Sequence, residues 1–387
     1  MVALSALIWW PICAAILVWF CGKTAPKLSR YLTLISIAIC LALLWLLPQQ
    51  SLAVPWFSRF NIQFALHLDG LAQLLILLTL LLTALATFVS WQEIQHRVGF
   101  FHFNLLIALA GINGVFLAAD LFMFFFFWEA MLLPITALIA IWGHENRRYA
   151  AIKFFIFTQA SSLLMLLGII ALAFLHNTQF GVISFNFGDM AQVSLTAGQE
   201  MWLMLGFFIA FAVKLPMVPF HTWLPDAHTQ APTAGSVLLA GVLLKTGAYG
   251  LIRLVLPLFP NASLEFAAVA ATLGVISILY GALMAYSQSD FKRLVAYSSI
   301  SHMGFILLAV FSWNSLALNG AIVIMIAHGL SSAALFSMAG AIQFRLHSRE
   351  FADMGGLWQS APRLGVMVLI FMAAAVGLPG LANFVGE

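Results

Sequence analysis

The chain has 387 residues, of which 63% are hydrophobic, 14% aromatic and only 7% charged. Soluble domains carry about 25% charged residues, so this composition excludes an ordinary soluble domain and predicts a polytopic helical membrane protein. The formal net charge is +3, and nucleic acid is not an expected partner.

Twelve apolar stretches are expected to cross the membrane as helices, because most approach the roughly 20 residues that a bilayer requires. They lie at residues 3–21, 30–47, 68–91, 100–119, 121–142, 150–175, 200–234, 235–256, 265–287, 292–311, 315–343 and 364–387. The expected fold class is therefore an all-α polytopic membrane protein of about 12 helices. The fourth and fifth spans meet at Asp120 with almost no loop, which predicts a tight antiparallel hairpin.

Basic residues concentrate in alternate loops, and this sets the orientation. The positive-inside rule makes those loops cytoplasmic and puts the N-terminus outside. The first span has its lysines after it and no basic segment before it, so it is expected to be a retained helix and not a signal peptide. The basic residues of the predicted cytoplasmic loops are Lys23, Lys27, Arg30, Arg97, Arg147, Arg148, Lys153, Lys292, Arg293, Arg345, Arg349 and Arg363.

The stretch 202–253 carries the strongest functional signal. Pro216, Pro219 and Pro225 must break the seventh helix near Lys214, because each lacks an N–H and clashes with the preceding turn. Broken backbone at membrane depth is tolerated only where it is buried in protein or lines a wet cavity. The break and its lysine therefore predict an ion pathway.

Several ionisable side chains lie inside the predicted spans, and the first five of them are roughly 12 to 20 Å deep in a hydrocarbon core of about 30 Å. A lysine so far from a helix end cannot snorkel, and a Glu–Lys pair can hold or release a proton. A shared level in the membrane favours a proton relay; structural ion pairs and neutral structural histidines are the alternatives. The residues are Glu129, Lys214, Lys245, His302, His328 and Glu387.

Other polar groups could extend this relay. Serines lie on the helix faces of both histidines, at positions 298 and 299 and at positions 331 and 332. Tyr249 could extend a wire or simply pack. His221, Asp226 and His228 lie in or beside the broken link, where a cytoplasmic gate and simple capping of helix ends are equally consistent with the pattern. No nucleotide, haem, iron–sulfur or metal motif is present, so no redox chemistry is expected in this chain.

Two helix interruptions at a Leu-Pro pair indicate an internal repeat. They are VKLPMVPFHTW in the seventh span and GLPGLANFVGE in the twelfth, five helices apart and of opposite orientation. This is typical of an inverted-topology repeat, in which each half supplies one broken helix to a midplane site. The expected division is residues 1–99 for helices 1–3, residues 100–256 for the first repeat and residues 257–387 for a second, truncated repeat.

Four motifs resemble the proton-conducting antiporter-like subunits of respiratory complex I, most closely the subunit-4 (M) type. They are KLPMVPFHTWLPDAHTQAPTAGSVLLAGVLLKTGAYGLIRL, DFKRLVAYSSISHMGF, IAHGLSSAALF and GLPGLANFVGE. Related sequences occur in multisubunit cation/proton antiporters and membrane-bound hydrogenases, so a subunit of one of those assemblies is the alternative. A passive membrane scaffold is a third. Members of the subunit-4 type continue past the twelfth helix, so a fragment or truncated reading frame is expected.

The resemblance implies roles for matching positions. Glu129 resembles the fifth-helix partner of Lys214, Lys245 the connecting lysine of the eighth helix, and Glu387 the ionisable residue of the twelfth. His302 and His328 resemble the central relay histidines. It also implies a proton-translocating subunit of NADH-quinone oxidoreductase in the bacterial inner membrane. NAD, FMN, iron–sulfur clusters and quinone would belong to partner subunits, and the expected membrane partners are the L-, N-, K-, J-, A- and H-type chains.

Overall fold

The computed structural model describes residues 2–47 and 50–387, and within these ranges ten helices are long and apolar enough to cross a membrane. The two remaining predicted spans are helices broken in their middle. The expected polytopic helical class is confirmed. The first half contains α1 Val2–Cys21, α2 Pro26–Leu46, α3 Gly70–Glu93, α4 Val98–Leu117, α5 Leu121–Ala130, α6 Leu132–Trp142, α7 Arg147–Phe180, α8 Phe187–Met190 and α9 Ala197–Lys214.

The second half is built around the eighth span, which the other helices enclose. In its most apolar window 89% of the residues are buried within the chain, against 22% in the next helix. The elements are α10 Trp223–Gln230, α11 Thr233–Leu238, α12 Leu244–Gly250, α13 Leu256–Leu258, α14 Pro260–Tyr286, α15 Phe291–Val310, α16 Ser315–Leu346, α17 Leu357–Ser360, α18 Pro362–Ala375 and α19 Ala382–Gly386.

A β-hairpin precedes the third span, and the helical prediction did not include it. Strands β1 (Gln50–Phe57) and β2 (Ile62–Leu68) pair antiparallel, with Ala53 opposite Ala65. The strand β1 is exposed along most of its length and carries an unbroken apolar run, so it lacks the alternation that identifies a half-buried strand. The third helix consequently begins at Gly70 and not at residue 68.

The fifth span begins and bends where the sequence predicts. Asp120 caps α5 by accepting hydrogen bonds from the N–H groups of Phe122 and Met123, which forms the expected tight junction with α4. The helix is interrupted at Met131, between α5 and α6. The cause is Pro134, whose ring clashes with the carbonyl four residues earlier.

The seventh span is broken at the predicted lysine. Helix α9 ends at Lys214, and α10 begins only at Trp223. Protein groups satisfy the freed backbone: the indole N–H of Trp223 donates to the carbonyl of Val213 at 2.9 Å, and the N–H of Val218 donates to the hydroxyl of Ser277 at 2.9 Å. Residues 215–217 of the break are buried in protein, whereas Pro219 and Thr222 are exposed.

The twelfth span is also broken as predicted. Helix α18 ends at Ala375, and the short α19 follows a turn in which Gly377 and Gly380 adopt positive φ angles of 74° and 95°. Glycine reaches this backbone region without steric cost. The two broken helices match the two sequence interruptions, while the assignment of residues 100–256 and 257–387 to inverted repeats stays a prediction.

Candidate functional site

Four of the predicted ionisable residues form one continuous line of contacts. The ammonium group of Lys245 donates to Nδ1 of His328 at 2.7 Å. The rings of His328 and His302 lie 5.1 Å apart between centroids, and Nδ1 of His302 lies 2.8 Å from Oε1 of Glu387. We call Lys245, His328, His302 and Glu387 the buried polar row. It brings together α12, α16, α15 and the end of the twelfth span.

Lys245 lies in a short α-helix between two irregular turns of the eighth span. Two π-helical turns, Leu239–Leu243 and Leu251–Val255, flank α12. The ammonium group of Lys245 donates to the carbonyl of Ala240 at 2.5 Å, inside the first of these turns. Such turns are frequent at functional sites because they redirect backbone groups, and the amphipathic pattern of a sequence does not reveal them.

Two glycines bring the eighth and eleventh spans close enough for the Lys245–His328 contact. A Cβ atom on Gly329 would lie only 2.9 Å from the carbonyl oxygen of Gly241. Any side chain at Gly329 would therefore push the two backbones apart. Because His328 is its neighbour in sequence, this close approach sets the length of the bond between the lysine and the histidine.

Three members of the row are nearly sealed from solvent within the chain, whereas Glu387 at its end is exposed. Lys245 is 0%, His328 2% and His302 6% exposed. With the ammonium donating to Nδ1 of His328, that ring carries its proton on Nε2, which has no hydrogen-bond partner among the residues described. The row thus contains two hydrogen-bonded pairs, Lys245–His328 and His302–Glu387, which are joined by the contact between the two imidazole rings.

Glu129 and Lys214 form a separated charge pair. They interact electrostatically, but the ion pairs found in residues 2–47 and 50–387 do not include them, so their charged atoms are more than 4.0 Å apart. The ammonium group of Lys214 lies 5.3 Å from the ring centroid of Trp128 and 5.4 Å from that of Phe154. Aromatic faces attract a cation without fixing its direction, which leaves the lysine free to change partners.

The serine hydroxyls do not serve the histidines as predicted. Ser298 and Ser299 both donate to the carbonyl of Val295, and Ser332 donates to the carbonyl of His328. Serine in a helix interior commonly bonds to the carbonyl three or four residues earlier, and here this local bond wins over the imidazole. The expectation of a serine–histidine wire is wrong in this structure.

The predicted gating or capping residues in and beside the broken link divide into two groups. Asp226 forms an ion pair with Lys153 at 2.6 Å, and His221 packs edge-on against Tyr280. His228 is different: it is 0% exposed, it stacks on Phe336 at 4.5 Å, and neither ring nitrogen has a partner in the described part of the chain. His228 is thus buried without a hydrogen-bond partner for its ring among the described residues, whereas Asp226 is paired with a lysine.

Tyr249 follows Lys245 by one helical turn and points toward the end of the span opposite the broken link. Its hydroxyl donates to the carbonyl of Phe116 at 2.9 Å. One further turn along, Arg253 forms an ion pair with Asp69 at 2.7 Å, with both side chains about one quarter exposed. The structure places Tyr249 between the row and this surface ion pair, which the sequence did not predict.

A second group of charged side chains, around the connection at residues 231–233, was not predicted from the sequence. The sequence predicts Lys292 to be a cytoplasmic loop residue, but it is 0% exposed and its ammonium group donates to the carbonyl of Ala231 at 3.1 Å. Glu93, at the end of α3, accepts a hydrogen bond from the N–H of Thr233 at 3.1 Å. A lysine in the first turn of a helix is usually interfacial, so nothing local signals its burial.

Among the residues that the structure describes, no group of three or more histidine, cysteine, aspartate or glutamate side chains could hold a metal ion. The site therefore consists of protonatable groups at membrane depth, joined by broken helices. This arrangement defines an ion-conducting membrane subunit of the antiporter-like class.

Comparison with known proteins identifies the family within that class. The family described as NADH:quinone oxidoreductase/Mrp antiporter, TM, matches residues 118–387. The chain is 52% identical to NADH-quinone oxidoreductase subunit M of Pseudomonas aeruginosa, covering 97% of this chain and 79% of the relative. Identity to subunit M of Escherichia coli K12 is 51%, with 97% and 78% covered. The chain belongs to the subunit M family of NADH-quinone oxidoreductase.

Solved structures agree. Respiratory complex I from Thermus thermophilus contains a chain that matches with a TM-score of 0.90 and 31% identity, covering 99% of this chain and 80% of that one. The Mrp complex from Dietzia sp. matches with a TM-score of 0.88 and 23% identity over 99% of this chain and 42% of that one, which shows a shared fold alone. The predicted function, a proton-translocating membrane subunit of complex I, is confirmed at the level of the family.

Proposed function

We propose that this chain moves protons through the separated charge pair and the buried polar row, with Glu129, Lys214, Lys245, His328, His302 and Glu387 as the relay. The observation that carries the proposal is the line of contacts from Lys245 to Glu387. Uncharged packing would have stabilised these helices without desolvating the ammonium group of Lys245, so a purely structural role does not account for the row.

The two parts of the relay act differently. In the separated pair, movement of Glu129 toward or away from Lys214 changes how strongly the lysine holds its proton. In the row, a proton released by Lys245 enters Nδ1 of His328, and proton loss from His302 to Glu387 completes the transfer at the other end. Tyr249 lies on the outer side of Lys245 and is proposed as a gate there.

The orientation and partners follow the family. We place the N-terminus outside and the basic loops in the cytoplasm of a bacterium, with the chain in the inner membrane. The neighbouring L-, N-, K-, J-, A- and H-type chains would complete the assembly. NAD, FMN, iron–sulfur clusters and quinone would belong to partner subunits. Electron transfer in those subunits would therefore drive proton movement in this chain.

Lys214→Met and Glu129→Gln, each made in the assembled complex, test the proposal. Both should lower proton uptake and NADH–quinone turnover by about a hundredfold, the scale on which one positioned proton-transfer group acts. Lys27→Met, at an exposed lysine, is the matched control and should have no effect. Unchanged pumping in both variants would reject the relay. Sodium-dependent transport without NADH oxidation would instead favour a cation/proton antiporter.

A further inference from the structure

A cavity of about 330 Å³ opens at the end of the first span, where the α1–α2 and α3–α4 connections meet. Both connections lie on the side that we propose to face the cytoplasm. The relay described above does not use this cavity. Two cations, two aromatic rings and two glycines line it: Trp19, Gly22, Lys23, Arg97, Gly99 and Phe100.

The glycines bring the two connections into contact. A Cβ atom on Gly99 would lie 2.7 Å from the Cα of Gly22 and 2.9 Å from the carbonyl oxygen of Trp19. Backbones approach this closely only where no side chain intervenes. Lys23 follows Gly22 directly, and Arg97 comes two residues before Gly99. The close approach therefore places one cation from each connection at the same cavity.

The two cations have no acidic counterpart. No aspartate or glutamate lines the cavity, and the ion pairs found in residues 2–47 and 50–387 include neither Lys23 nor Arg97. The ammonium group of Lys23 lies 5.6 Å from the ring centroid of Trp19 and 5.2 Å from that of Phe20. Like charges beside one cavity repel each other, and an anion between them removes this repulsion. The cavity therefore fits a negatively charged group.

The backbone at Arg97 favours a role for its side chain. Arg97 precedes α4 with a φ angle of 50°, in the left-handed region. Glycine or asparagine adopts this region at lower cost than arginine does. The guanidinium group of arginine presents N–H donors in a planar fork that matches the oxygens of a phosphate. A phosphate group is thus the anion that this arginine suits best.

Apolar surface beside the cavity distinguishes a lipid from a free phosphate. Leu17 and Phe20, in the last turns of the first span, are 53% and 57% exposed. The ring of Trp19 lies 5.9 Å from that of Phe100 and 5.4 Å from that of Phe103, which extends the aromatic wall toward the middle of the membrane. Tryptophan is enriched at the level of the lipid headgroups. Acyl chains would cover this surface, whereas a soluble anion would leave it bare.

We infer that Lys23 and Arg97 bind the phosphate of an anionic phospholipid in this cavity, with its acyl chains along Leu17 and Phe20. This inference goes beyond the proposed function and does not involve the relay. Basic residues near a cytoplasmic leaflet attract anionic lipids. The bound lipid would hold the α1–α2 and α3–α4 connections together.

Photolabelling of the assembled complex tests this inference. The complex is placed in phosphatidylcholine nanodiscs that contain a small amount of phosphatidylglycerol with a diazirine on its headgroup, and the labelled peptides are identified by mass spectrometry. We expect labels at residues 19–23 and 97–100. A phosphatidylcholine probe with the same diazirine should not label them. Unlabelled phosphatidylglycerol should suppress the labelling, and inorganic phosphate should suppress it no more than sodium chloride of equal ionic strength.

A double substitution tests the two cations directly. Lys23→Gln combined with Arg97→Gln should lower the labelling, measured below saturation, about thirtyfold, which is the scale for two basic residues near an anionic lipid surface. The matched control combines Lys27→Gln with Arg148→Gln. It removes two exposed cations from the same side of the chain but outside the cavity, and it should label as wild type. The amount of intact complex is measured for each variant.

The possible outcomes differ clearly. Equal labelling by the phosphatidylcholine probe would show that the cavity does not select an anion, and suppression by phosphate beyond that of sodium chloride would show a site for a soluble anion. Unlabelled wild type would show that a neighbouring chain covers the cavity. Each of these results overturns the inference, as does equal labelling of the double variant and wild type. Weaker labelling of the double variant with a normal control supports it. The wild-type experiments do not depend on the folding of any variant, and no outcome bears on the relay, because labelling requires no turnover.

Discussion

The separated charge pair and the buried polar row hold their lysines in opposite ways. Lys214 lies between aromatic rings, and its ammonium has no hydrogen-bond partner within the described ranges. Lys245 donates to a histidine and to a backbone carbonyl. Both lysines are at most 1% exposed, so burial does not distinguish them.

The difference indicates different tasks. Lys214 loses no hydrogen bond when it changes its protonation, so its state depends on the field of Glu129 and on the two aromatic rings. A lysine bonded to His328 already faces the group that is proposed to take its proton. We interpret the separated pair as the input that senses a charge and the row as the path that conducts, and the following predictions bear on this comparison.

The largest effect is expected for Lys245→Met. It removes the donor from Nδ1 of His328 and from the carbonyl of Ala240, so turnover should fall about a hundredfold. Two buried acceptors lose their partner, and the folded state should lose about 1–3 kcal/mol. Lys214→Met loses no hydrogen bond and should unfold at the same temperature as wild type or higher. The unfolding temperatures of the two purified variants test this difference in stability. Equal destabilisation by both substitutions would contradict the different hydrogen bonding of the two lysines.

Gly329→Ala tests the geometry of the row without touching a charge. Its methyl group would meet the carbonyl oxygen of Gly241 at 2.9 Å and move the eleventh span away from the eighth. We expect a roughly tenfold slower turnover, because proton transfer depends steeply on the Lys245–His328 distance. Gly198→Ala, at a helical glycine with open space around it, is the control. Wild-type turnover in Gly329→Ala would show that the row tolerates a longer bond.

A smaller effect concerns Asp120, which caps the helix that carries Glu129. Burial raises the pKa of Asp120 from 3.8 to about 6, against the lowering effect of its backbone hydrogen bonds. Because the folded state holds the proton more tightly, stability falls as pH rises from about 4 to about 6, by about 3 kcal/mol at most, and is then constant. Asp120→Asn still accepts a hydrogen bond and cannot titrate. Its unfolding temperature should exceed that of wild type at pH 7 more than at pH 4; a pH-independent difference would contradict this.

The sequence predicts much of this molecule because membrane insertion constrains local composition. Span positions follow from apolar length, and the breaks at Lys214 and before Glu387 follow from proline and glycine. The proposed relay residues follow from the cost of placing an ionisable group in lipid. These features depend only on the sequence of a single helix and on the lipid that surrounds it.

Contacts between helices could not be predicted in the same way. The hydroxyls of Ser298 and Ser332 have the right spacing for histidine contacts, yet they bond to their own helix. Lys292 resembles an interfacial lysine until neighbouring helices cover it. The hairpin of β1 and β2 lacks a periodic pattern. Each outcome depends on which side chains other helices bring near.

By itself the sequence determined the membrane class, the helix breaks and the identity of the protonatable residues, since these depend on local chain chemistry in a solvent without water. Only the tertiary structure decided that Lys245, His328, His302 and Glu387 touch while Glu129 and Lys214 do not. It also decided that Glu93 and Lys292 both bond to the backbone of residues 231–233. Distances between residues far apart in sequence are set by how closely helices pack, and here that spacing follows from glycines such as Gly329 and from the π-helical turns of the eighth span.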